Sequence, residues 1–239
     1  MDSTRLPGKV LREINGKPMI YWQISRIMKS NIDGLVVVTT REESDDKLFG
    51  YLQSIGISAF RGSSDDVLSR YQAAVEIYKP ENFLRLTADC PLVMPSLINE
   101  MLIDFNENPC DLLSNTNPPT FPDGLDIEVV RSGALKKLME YETDADEKEH
   151  VTFGMYTRPE HFQIRNFFAR RDYSEMRWTV DYKEDFDFVS RVFEYFKGRE
   201  LEIGFEELYE LVKTDKIHNN LRTHAYRNIA LRNRPAEGC

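Results

Sequence analysis

A run of consecutive β-branched and apolar residues can be satisfied only where water is excluded from both faces of a sheet. Gly34 to Thr40 (G-L-V-V-V-T-T) is such a run, and it constrains the fold more than any other stretch of the chain. The residues after it alternate between helix and strand patterns. A helical pattern after Ser44 places Leu48, Leu52 and Ile55 on one face, and Ile57 to Phe60 reads as a short strand. Asp65 to Tyr78 is an amphipathic helix through Leu68, Tyr71, Val75 and Tyr78, capped by Ser64 or Asp65 and stopped by Pro80. Phe83 to Thr87 is the next strand, and a helix opening near Pro95 carries Ile98, Met101, Leu102 and Phe105 inward. Strand, helix, strand, helix predicts an α/β domain with a mostly parallel sheet covered on both sides, three layers in all. Further strands are expected at Ile127–Val130, His161–Phe168 and Arg177–Val180, with a helix over Asp185–Phe196. A helix near Pro18 buries Ile20, Ile24, Ile27 and Met28. The turn-rich stretch from Asn106 to Phe121 reads as a loop over the cleft, a candidate lid or dimer element. One domain over 1–213 with a polar tail over 214–239 is the expected organisation.

Composition excludes several classes. The net charge is −9 with no basic run, which disfavours nucleic acid, whose binding rests on Lys and Arg neutralising phosphates. No stretch approaches the apolar length of a membrane span, and M-D-S-T-R-L-P is no signal peptide, so the expected location is cytoplasmic. Cys90, Cys110 and Cys239 are odd in number and widely spaced, unlike a zinc site or a disulfide framework.

Chemistry concentrates in a few segments. Ser3 to Lys9 (S-T-R-L-P-G-K) holds two hydroxyls, a guanidinium and an ammonium around a Pro-Gly turn. Arg5 can grip phosphate oxygens bidentately, and Lys9 is a compact point charge. A solvated basic turn is the plainer alternative. Asp89 follows the strand Phe83–Thr87, and Asp181 ends Arg177-Trp-Thr-Val-Asp181 before a helix. Carboxylates at strand ends sit where α/β sheets bind ligands, and two over a triphosphate would suffice for Mg²⁺. The alternative is that each caps its following helix. Cys90 reads as a packing residue, without a neighbour to activate its thiol.

Taken in order, S-T-R-L-P-G-K, I-N-G-K-P-M-I (Ile14–Ile20), R-G-S-S-D-D-V-L-S-R (Arg61–Arg70), T-A-D-C-P-L-V (Thr87–Val93) and V-D-Y-K-E-D-F (Val180–Phe186) resemble the cytidylyltransferases that activate acidic sugars. These are the 3-deoxy-manno-octulosonate and acylneuraminate enzymes, and the chain is especially similar to the spore-coat polysaccharide branch. The resemblance implies a sheet of the nucleotide-diphospho-sugar transferase type, CTP and an acidic keto-deoxy sugar as substrates, pyrophosphate as product, and a homodimer. It implies nucleotide contacts from Ser3, Thr4, Arg5, Lys9, Arg70 and Thr87, with Arg61 a weaker candidate. Mg²⁺ would be held by Asp89 and Asp181, and Arg5, Lys9, Asp89 and Asp181 would be catalytic. Asp126 and Glu128, from D-G-L-D-I-E-V-V, and His150 would meet the sugar, although Asp123–Val130 also reads as an ordinary edge strand. Three departures stand out: Asp2 replaces a small residue, Tyr182 and Lys183 replace threonine and proline, and the apolar strand that precedes the loop in the family has no counterpart in the sequence. A first strand missing from the sheet is therefore expected. Three other readings are weighed: a sugar-1-phosphate nucleotidyltransferase, whose usual G-x-G signature is absent; a metal-dependent glycosyltransferase, whose D-x-D spacing Asp89-Cys90-Pro91 breaks; and a catalytically impaired nucleotide-binding, oligomeric homologue.

Overall fold

The computed structural model describes residues 5–214, so Ser3, Thr4 and all of the expected tail beyond Thr214 lie outside the described residues. The chain opens with a hairpin, β1 (Glu13–Ile14) against β2 (Lys17–Pro18). Its two-residue turn, Asn15-Gly16, has φ of 48° and 73°, the left-handed pair that a tight hairpin turn requires. Then come α1 (Met19–Ile27), β3 (Val36–Thr40), α2 (Asp46–Ser54), β4 (Ser58–Gly62), α3 (Val67–Tyr78), β5 (Asn82–Arg85) and α4 (Pro95–Glu107). The second half holds β6 (Leu112–Ser114), β7 (Glu128–Arg131), α5 (Ser132–Leu138), α6 (Ala145–Glu149), α7 (Phe153–Tyr156), β8 (Ile164–Asn166), α8 (Lys183–Tyr195) and α9 (Phe205–Lys213).

Alternation along the strands builds the three expected layers. Leu113 and Val129 join a core with α1, α2, α4 and α8, while their neighbours Leu112 and Val130 join a second core with α3 and α5 on the opposite face. Strand orientation is mixed. β3 and β4 are parallel, as are β6 and β8, but β7 runs antiparallel to both β5 and β6. No helix lies between Ser114 and Glu128, and without a crossover the chain returns antiparallel.

The expected interruption of the sheet is present. β3–β4 and β5–β7–β6–β8 are separate sheets, and no described strand joins β3 to β5. Val129 and Val130 are wholly buried, whereas Val36, Val37 and Val38 in β3 and Phe83 and Leu84 in β5 are all half-buried. Exposure through one face would affect every second residue. Exposure of successive residues shows that water reaches these strands along their edges.

Several expectations are corrected. The loop expected over Asn106–Phe121 contains β6, whose Leu112 and Leu113 are fully buried, and Phe121 stacks on Phe167 rather than hanging over a cleft. Arg177–Val180 is extended but forms only a single bridge, Asp123 to Arg177. It is stitched between loops instead: the amides of Trp178 and Val180 donate to the carbonyls of Asp123 and Asp89. Met28 is 52% exposed because α1 ends at Ile27, and Tyr78 is exposed at the last turn of α3. The cap of α3 is neither Ser64 nor Asp65 but Asp66, which accepts from the Ser69 amide at 2.7 Å.

Candidate active site

The loop that begins the described chain docks onto two acidic segments. Gly8 takes a left-handed φ of 65°, which turns the chain into a single 3-10 turn, Lys9–Leu11, while Leu6 and Val10 are buried as anchors. Lys9 therefore points inward. Its Nζ donates to Asp89 Oδ2 at 3.1 Å, to Asp181 Oδ1 at 3.0 Å and to the Val180 carbonyl at 2.6 Å. Asp89 and Asp181, far apart in sequence, are brought together because Val180 N–H and Thr179 Oγ1 both donate to the Asp89 carbonyl.

Alternation explains the second segment. Trp178 and Val180 are fully buried in the core, so Arg177, Thr179 and Asp181 share the opposite side. Arg177, only 8% exposed, donates to Asp181 Oδ2 at 2.6 Å, to Asp123, and more distantly to Asp185. Asp185 accepts the backbone amides of Asp181 and Tyr182, closing the start of α8. Asp181 is thus not the cap of its helix. Asp89 does not cap α4 either, whose first turn begins at Pro95 after Met94. Both aspartates are left to face the loop.

Electrostatics follow from this geometry. Burial works against the charged forms of Lys9 and Asp181, yet their mutual attraction outweighs it. Lys9, beside Asp89 and Asp181, is raised above its ordinary value, and Asp181, beside Lys9 and Arg177, is lowered. Burial pushes the Cys90 thiol well up, as expected of a packing residue. Cys90 Sγ donates to Asp89 Oδ1 at 3.3 Å. Arg5 is the exposed member of the set. It lies 3.6 Å from Asp181, donates to the Tyr182 hydroxyl at 3.2 Å and stacks over that ring at 5.0 Å. The tyrosine that stands where the resemblance expects threonine thus braces Arg5.

Two carboxylates converging on one ammonium form an oxygen-rich, negatively charged pair suited to a hard divalent cation such as Mg²⁺. Among the described residues no group of three or more His, Cys, Asp or Glu could hold a metal alone. A cation held by the pair would need phosphate oxygens or water to complete its shell.

The remaining candidates are spread more widely. Arg70 lines a cavity of about 520 Å³ with Arg41, Glu42, Phe60, Gly62, Ser63 and Ser64, past the carboxyl ends of β3 and β4. Its Nη1 donates to the Ser63 carbonyl, and burial lowers its guanidinium. Arg61 is turned to the Thr40 and Glu42 carbonyls and to Asp46. Thr87 is exposed, and its carbonyl accepts from Gln23 at 2.6 Å. Asp126 is half-buried and close enough to Cys90 to raise its thiol further. Glu128 lies inside the sheet, 6% exposed, accepting from Arg85 and Thr152 at 2.6 Å each. His150 is exposed with its ring edge-on to Phe153. Arg177, Asp123, Asp185 and Tyr182 were not singled out as site residues from sequence. The alternation around Trp178 and Val180 was the signal that could have found Arg177.

An α/β fold with a cationic loop meeting two converging carboxylates fits a nucleotidyltransferase. The cytidylyltransferase family matches residues 1–221, and the chain belongs to that family. The chain is 30% identical to the spore coat polysaccharide biosynthesis protein SpsF of Bacillus subtilis, over 89% of this chain and 90% of that protein. A solved cytidylyltransferase of Leptospira borgpetersenii is 31% identical over 95% of each chain, with a TM-score of 0.86. A CMP:2-keto-3-deoxy-manno-octonic acid synthetase solved with CTP shares the fold, with a TM-score of 0.63 and 16% identity over 81% of this chain and 94% of that one. No described helix is long and apolar enough to cross a membrane.

Proposed function

We propose that this chain transfers CMP from CTP to an acidic keto-deoxy sugar, releasing pyrophosphate, for the synthesis of a surface polysaccharide. The observation that carries the reading is the meeting of Lys9 with Asp89 and Asp181 within 3.1 Å, which sets the loop's cations against a carboxylate pair. A sugar hydroxyl oxygen attacks the α-phosphorus in line, the bond to the β-phosphate bridging oxygen breaks, and the hydroxyl proton passes to solvent. Bound Mg²⁺ supplies charge neutralisation and makes the attacking hydroxyl more acidic. Asp89 and Asp181 would hold it, Arg177 fixes Asp181, and Lys9 with Arg5 neutralises the triphosphate and the leaving pyrophosphate. Ser3 and Thr4, outside the described residues, are assigned to the nucleotide by the resemblance alone. Arg70 and its cavity receive the cytidine, with Thr87 contacting the nucleotide, and Asp126, Glu128 and His150 belong to the sugar side. A cytoplasmic homodimer is part of this reading.

A second reading, a nucleotide-binding homologue with impaired turnover, is favoured by the interruption between β3 and β5. One assay separates the readings: pyrophosphate release with each of the four NTPs, a panel of acidic sugars, and Mg²⁺ present or removed. The proposal expects CTP and a keto-deoxy acid to be preferred, with activity lost on chelation. Preference for GTP or UTP with a sugar phosphate overturns it. CTP binding without turnover selects the second reading.

A further inference from the structure

The two aspartates are held in the same way. Each has one oxygen tied to the scaffold, Asp89 Oδ1 by the Cys90 thiol and Asp181 Oδ2 by the Arg177 guanidinium. Each presents its other oxygen to the single ammonium of Lys9, at 3.1 and 3.0 Å. The two ties differ from the two contacts in kind. Arg177 is buried, planar and bound to two further carboxylates, Asp123 and Asp185, so it cannot leave without breaking the segment that carries Asp181. Lys9 is a point charge on a flexible four-carbon stem, with a backbone carbonyl as its third partner.

We propose that Lys9 is the site's internal cation, occupying the oxygens of Asp89 and Asp181 that a divalent metal uses, and that it is exchanged for the metal when the nucleotide arrives. This inference rests on the metal reading proposed above. An ammonium about 3 Å from both oxygens cannot share them with a divalent ion, since like charges at that range repel strongly in a half-buried site. Lys9 must therefore release the carboxylates as the metal binds. The triphosphate offers it a new counter-charge. Metal and nucleotide then favour one another through the displaced lysine, a coupling that is reciprocal. Without nucleotide the ammonium keeps the two carboxylates from repelling each other and discourages futile metal loading.

The test is Mn²⁺ binding followed by electron paramagnetic resonance, on the whole chain, with and without CTP. Lys9→Ala and Lys9→Met, the latter keeping the aliphatic stem, are compared with the unaltered chain, and circular dichroism confirms folding. The proposal expects both variants to bind Mn²⁺ at least tenfold more tightly in the absence of nucleotide. The tightening that CTP produces in the unaltered chain should shrink by a similar factor. Unchanged or weaker Mn²⁺ binding in both variants overturns the proposal. Asp89→Asn separates this failure from that of the metal reading. If it weakens Mn²⁺ binding while the Lys9 variants change nothing, only the exchange is wrong. If it leaves Mn²⁺ binding untouched in the Lys9→Met background, the carboxylate pair is not the metal site and both ideas fall.

Discussion

Arg177 carries more of the site than any residue the motifs point to, because one buried guanidinium joins Asp123, Asp181 and Asp185. Removing one partner from a buried ionic cluster costs about 3–5 kcal/mol. Asp123 and Asp181 retain some access to water, so the lower end applies. Arg177→Met should lower Tm by about 6 °C or more and reduce kcat, with Arg177→Lys intermediate; thermal melts and pyrophosphate release check both. The pH response follows from two opposed shifts. Asp181 is lowered in the folded state, so its contribution is present above its unfolded value of about 3.9 and is lost as pH falls through the folded value. Lys9 is raised, so its contribution is present below about 10.4 and is lost as pH rises through its folded value. Stability from this pair should be flat between about pH 5 and about pH 9, as denaturant titrations across that range would show. A midpoint near neutrality would contradict the pairing. Arg5, Lys9, Asp89 and Asp181 were legible because charged residues in short motifs keep their spacing in any fold. Arg177 was not, since its role depends on Trp178 and Val180 turning inward.

Elements were readable where periodicity ran long. Helices α1 to α4 and α8 lie where hydrophobic spacing puts them, and β3 sits inside its β-branched run. β6 was invisible because three residues, Leu112–Ser114, cannot show alternation amid turn-forming neighbours. The segment Arg177–Val180 has a strand's pattern without a strand's ladder. Its place is set instead by close packing on Gly124. That glycine has φ of 105°, and a Cβ there would lie 2.4 Å from the Thr179 amide nitrogen. Gly124→Ala should therefore cost about 1–3 kcal/mol and lower activity by pushing Thr179 and Asp181 away from Lys9. Gly133 in α5 has nothing within 4 Å of a built Cβ. Gly133→Ala should raise stability by up to about 1 kcal/mol and leave turnover unchanged. Paired melts and turnover assays on these variants test whether close approach, rather than loss of glycine itself, is what the site requires.

At the size of the whole molecule the main strands among the described residues form two separate sheets, β3–β4 and β5–β7–β6–β8, and successive residues of β3 and β5 are half-buried. Hydrophobic pattern marked β3 as fully covered, and it is only half so, because coverage on both faces does not close an edge. The helical layers nonetheless hold the halves together: α3 contributes Leu68 and Val75 to the core beneath β6 and β7 while beginning just after β4. Asp89 follows β5 of the larger sheet, whereas the cavity beside Arg70 lies past the ends of β3 and β4 in the smaller one. A nucleotide spanning both would bridge the interruption. The most direct test is a crystal structure with CTP and Mn²⁺, using the metal's anomalous scattering. The expected result is one strong peak bonded to both Asp89 and Asp181, with phosphate oxygens on Arg5 and Lys9. A peak bonded to neither aspartate, or a triphosphate away from this loop, would contradict a metal site built on that pair.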